Sequence, residues 1–143
     1  MALIAEIEES KTASVWKEFK DAKGNVLARF KIRGIDYEPY QIAQQRISHQ
    51  LSLKCLNISN ISEDEKTLQS LNMEACACHL LEDWEGVSFK INGDVAEVGY
   101  SKENAVKLLQ LGKIGADIYL FILAQANIIQ EEANLFRDEV LGK

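Results

Sequence analysis

The sequence predicts an α+β fold that is mainly helical, with about four helices, an N-terminal β-hairpin and a second short hairpin near residues 88–99. Three observations carry this. Eight glycines and one proline among 143 residues are about half the usual share, so the chain has few breakers and favours long helices. Two β-prone stretches near the N-terminus flank a polar turn. From residue 36 onward, apolar residues recur at three- and four-residue steps along most of the chain. A chain of this length suits one domain, spanning 1–143. Within it, 1–13 reads as a mobile start, 14–33 as the hairpin and 36–136 as the helical body.

In the first hairpin, Val15 to Phe19 and Val26 to Ile32 are joined by a turn whose Gly24-Asn25 pair is expected to take positive φ. Ala28, Phe30 and Ile32 alternate with Arg29, Lys31 and Arg33, giving one apolar and one cationic face. Two strands alone are marginal in water, so later helices should cover the apolar side. Asp36 is placed to cap a first helix running from about Tyr37 to Leu56, with Pro39 in its first turn. Its stripe is Tyr40, Ile42, Ala43, Ile47, Leu51 and Cys55. Ser62-Glu63-Asp64-Glu65 has the form of a capping box for a second helix reaching about Asp83, with Leu68, Leu71, Ala75, Cys78 (Cys76 beside it) and Leu80 or Leu81 on its stripe and Trp84 at its end. Asn92-Gly93 predicts the tight turn of the second hairpin. Ser101 caps a third helix that ends at Gly112, and the longest helix runs from about Ile114 to Val140, its apolar stripe interrupted by Gln125 and Glu132.

Sixteen basic residues against twenty-two acidic ones leave a net charge of −6 with histidines neutral. Such a balance offers no general attraction to nucleic acid or to anionic lipid. The longest apolar run, Ile118 to Ala124, falls short of the roughly 18 residues of a membrane span, and the N-terminus turns acidic at Glu6 without a basic signal-peptide region. A cytoplasmic protein without a membrane span is expected. Three cysteines, Cys55, Cys76 and Cys78, cannot all pair, and a reducing compartment keeps them as thiols.

Cys76-Ala77-Cys78-His79 is the one local cluster with metal-ligand or nucleophile chemistry, and a small metal-binding or regulatory protein using these residues is the alternative reading. The spacing disfavours it. On a helix Cys78 points about 160° away from Cys76, and a fourth ligand would have to come from Cys55 or His49. The glycines sit singly, so there is no phosphate-binding loop, and neither a cofactor nor a catalytic residue is expected.

The run His79-Leu80-Leu81-Glu82-Asp83-Trp84-Glu85-Gly86-Val87, then Asn92-Gly93-Asp94, then Tyr100-Ser101-Lys102-Glu103-Asn104-Ala105-Val106-Lys107-Leu108-Leu109, resembles the tail assembly chaperones of long-tailed bacteriophages, over roughly residues 14 to 136. The resemblance implies a non-enzymatic protein of a phage or prophage that acts during virion morphogenesis in the host cytoplasm. It would hold the long helical tape measure protein soluble, help recruit major tail (tube) subunits, and be absent from the finished tail. Self-association stays open. On this reading the apolar long helix lends surface to a partner helix, with Ile118, Phe121, Ile122, Ile129 and Phe136 as the expected contact residues.

Overall fold

The computed structural model describes residues 13–54 and 67–140. Residues 1–12 of the expected mobile start, the Ser62-Glu63-Asp64-Glu65 box, Cys55 and Leu56 lie outside these described residues, whereas Ala13 is held by the Gly34 N–H, which donates to its carbonyl at 2.9 Å. In chain order the elements are β1 (Ser14–Lys20), β2 (Val26–Arg33), α1 (Glu38–Lys54), α2 (Leu68–His79), β3 (Leu81–Glu85), β4 (Ser88–Ile91), β5 (Asp94–Glu97), α3 (Lys102–Leu109) and α4 (Gly112–Val140). The fold is α+β, with four helices and two small antiparallel sheets among the described residues.

The first hairpin forms as its alternation predicts. β1 pairs with β2 from Ser14 opposite Arg33 to Lys20 opposite Val26. Asp21 tightens the turn by accepting the backbone N–H of Lys23 and of Asn25, both at 2.9 Å. Gly24 takes φ +86°, whereas Asn25 does not turn left-handed. Ala28, Phe30 and Ile32 all lie in the core, on the side covered by helices.

That sheet has a third strand where the sequence reading had the end of a helix. α2 stops at His79, and Leu81–Glu85 crosses to pair antiparallel with β2, placing Trp84 opposite Phe30, Asp83 opposite Lys31 and Glu85 opposite Arg29. The reason is mutual. β2 has an unpaired edge, and Leu81 and Trp84 add apolar side chains to its buried face. On the other face the cations meet carboxylates: Glu82 lies 3.7 Å from Lys31 and 3.9 Å from Arg33, and Glu18 lies 3.5 Å from Arg29. Arg33 also donates to the carbonyl of His79 at 2.9 Å, holding the C-terminus of α2 where a cation suits the helix dipole, and stacks 4.5 Å from the Tyr37 ring.

α1 begins at Glu38, so Tyr37 rather than Asp36 flanks its start; the Asp36 N–H donates instead to Gln130 on α4 at 3.3 Å. The α2 cap among the described residues is Thr67, whose hydroxyl accepts the Ser70 N–H at 3.1 Å. The buried face of α2 keeps Ala75 and the neighbouring Cys76 of the expected stripe and shifts away from its first member. Met73, Ala75, Cys76 and Ala77 are buried, while Leu68 is exposed.

α4 packs on β1, β2 and α3 as well as on α2. A three-ring cluster joins it to the sheet, with Phe121 5.2 Å from Phe19 and 6.4 Å from Phe30, and Phe19 6.3 Å from Phe30. Such ring pairs add about 0.5–1.5 kcal/mol each beyond the area they bury. Where α3 turns into α4, Gly115 is buried against backbone. A Cβ there would sit 2.6 Å from the Leu109 carbonyl oxygen and 2.7 Å from that of Leu108.

Candidate partner-binding surface

Two of the runs singled out in the sequence, residues 79–87 and 100–109, meet around Trp84. Its indole N–H donates to the Val98 carbonyl at 2.8 Å, and its ring stands perpendicular to Tyr100 at 5.5 Å. The Tyr100 hydroxyl donates to the Leu81 carbonyl at 2.7 Å, satisfying an atom of β3. Next along the chain, Ser101 caps α3 by accepting the Asn104 N–H at 3.1 Å. Trp84 is thus a packing residue that fixes where α3, and then α4, begins. Beyond it the β4–β5 hairpin turns on Asn92 (φ 52°) and Gly93 (φ 85°), the left-handed pair expected of Asn-Gly, and exposes Ile91 and Val95.

α4 carries the five residues expected to meet a partner, and the structure divides them. Ile118, Ile122 and Ile129 lie in the core, and Phe121 is half-buried in the three-ring cluster. Four of the five are engaged inside the molecule, by the sheet and helices that the stripe covers. Phe136 is 68% exposed and its neighbour Leu135 64%, and further back along the helix Ile128 is 39% and Leu120 64% exposed. Leu120, Ala124 and Ile128 follow one another at four-residue steps and Leu135 comes seven residues on, so all four share the helix face opposite the core stripe. Sequence periodicity does reveal this second apolar line through Ile128 and Leu135. It cannot tell which line the sheet covers, and Leu120 was missed for that reason.

α4 also corrects the expectation drawn from the short apolar run. Over Gly112–Phe136 it is long and apolar enough to cross a membrane by length and composition. Of its apolar 18-residue window 28% is buried inside the molecule, and the remainder of the window is not covered by the fold.

The cysteine cluster does not converge. Cys76 points into the core, where burial pushes its thiol well up, and Cys78 is half-buried with its thiol also raised by burial and by Glu74. Burial, with Lys102 and Arg33 nearby, lowers the His79 pKa. Both thiols are therefore held in the protonated form at neutral pH, which disfavours nucleophilic attack. Among the described residues, no three His, Cys, Asp or Glu side chains are grouped to hold a metal ion. An open groove of about 350 Å³ runs between the start of α2 and the α3–α4 turn, lined by Thr67, Ser70, Met73, Leu109, Gln110 and Ala116 among others. Gln110 spans it with a hydrogen bond to the Ser70 hydroxyl at 3.2 Å, and among the described residues no charged side chain lines it.

A family model described as YdaY prophage protein matches residues 35–143. The chain belongs to the YdaY prophage protein family. The prophage origin expected from the sequence therefore holds at the level of the family. The matched region starts just after β2, so the YdaY region comprises all four helices with β3, β4 and β5, and the first hairpin precedes it. No curated protein and no solved structure matches the chain.

Proposed function

We propose that this prophage protein is a tail assembly chaperone. In the cytoplasm of the host it binds the elongated, helical tape measure protein, keeps it soluble while tail tube subunits are recruited, and leaves before the tail is complete. No bond is made or broken, so the protein is not an enzyme on this reading. The observation that carries it is the exposed apolar surface of α4, the outer line of Leu120, Ile128 and Leu135 together with Phe136 near the far end of the core line, presented on an acidic body. A holder of helical clients needs apolar contact for the client together with enough net charge to stay dispersed. The prophage family and the resemblance of the segments gathered around Trp84 support the same role.

Co-expression tests it. A tape measure polypeptide from the same prophage should be recovered in the soluble fraction with this protein and pelleted without it. Leu135→Asp with Phe136→Asp should abolish that protection while leaving the circular dichroism of the protein unchanged, because both residues are exposed. Equal precipitation with and without the protein would overturn the proposal.

A further inference from the structure

The distal part of α4 has a pattern that points to one kind of occupant. Glu132 lies four residues after Ile128, three before Leu135 and four before Phe136, so these side chains share one patch of helix surface. All four are exposed, and Glu131 beside them is exposed too. The ion pairs among the described residues lie on the sheet and involve neither glutamate. A carboxylate ringed by apolar side chains is costly to cover with an apolar partner, because covering it removes its water and supplies nothing in return. It is well matched by a cation delivered within an apolar stripe.

We propose that this patch docks an amphipathic helix whose apolar stripe is interrupted by one lysine or arginine, which Glu132 receives while Ile128, Leu135 and Phe136 take the flanking apolar side chains. The inference rests on the client-holding reading above and specifies the client's chemistry. A second copy fits poorly, since its own distal face would set Glu131 and Glu132 against the same two glutamates. An anionic membrane surface is repelled by the same charges.

The test uses the full chain and two labelled synthetic helical peptides, identical except for Lys or Glu at the centre of the apolar stripe, with binding read by fluorescence anisotropy at low salt. The wild-type protein should bind the Lys peptide about tenfold more tightly or better. Glu132→Lys, at an exposed position that leaves the fold intact, should invert the preference, and Phe136→Ser should weaken both peptides. Failure of the Lys peptide to bind, a preference that Glu132→Lys leaves unaltered, or a dimer in sedimentation that Phe136→Ser dissolves would overturn the inference. The two proposals fail separately. A tape measure kept soluble by a protein indifferent to the peptide charge sinks only the inference, whereas an inverted preference alongside a precipitated client sinks only the chaperone role.

Discussion

Two single residues show how local chemistry sets local shape here. At Gly115 the chain comes so close to the last carbonyls of α3 that even a methyl group has no room. Gly115→Ala should therefore cost about 1–3 kcal/mol, since rigid backbone must move apart, and a urea titration would register it as a lower midpoint with unchanged slope. Asp21 acts in the opposite manner, by attraction. The N–H of Asn25, and then that of Lys23, hold its carboxyl below the usual carboxylate range. A group with a lowered native pKa lends its stabilisation above the unfolded pKa and loses it as pH falls through the native one. The first turn should thus loosen only in acid, and NMR titration of the Asp21 side chain should give a midpoint below that of an unstructured aspartate.

Among the elements, β3 separates what neighbouring residues encode from what distant ones impose. The alternation of β2, the Asn92-Gly93 turn and the Ser101 cap depend on residues a few positions apart, and each was readable as sequence. His79-Leu80-Leu81 continues the apolar spacing of α2 without glycine or proline, so nothing nearby announces its end. Only Lys31, Arg33 and the open edge of β2, all remote in the chain, explain why Leu81–Glu85 extends. The same limit applies to α4, whose two apolar lines look alike until the sheet chooses one. The energetic weight of β3 lies on its buried side. Trp84→Ala should cost about 3–5 kcal/mol. Glu82→Ala, whose ion pairs are part-exposed, should cost about 1 kcal/mol or less. Thermal unfolding of the two variants would check that order.

Across the whole molecule, the core is one cluster to which the first hairpin contributes Ala28, Phe30 and Ile32, while the YdaY region contributes Leu81, Trp84 and Ile122. Deleting residues 1–34 should therefore leave a collapsed, dye-binding chain without a cooperative thermal transition, even though all four helices remain encoded. α4, at 29 residues, extends about 43 Å, well beyond the roughly 25 Å of the strands beneath it. Helix of that length cannot all be covered by so short a sheet, and Leu135 and Phe136 are exposed near its far end.

The pairing of β3 with β2 bears on how the chain comes to be folded during synthesis. Phe30 must wait for Trp84, roughly fifty residues later, before the sheet gains its last strand. Until then the nascent hairpin has one vacant border and an uncovered aromatic side. Closure comes only once the segment after α2 has left the ribosome, so a stall placed between those two points should leave the hairpin open to pairing with a neighbouring chain.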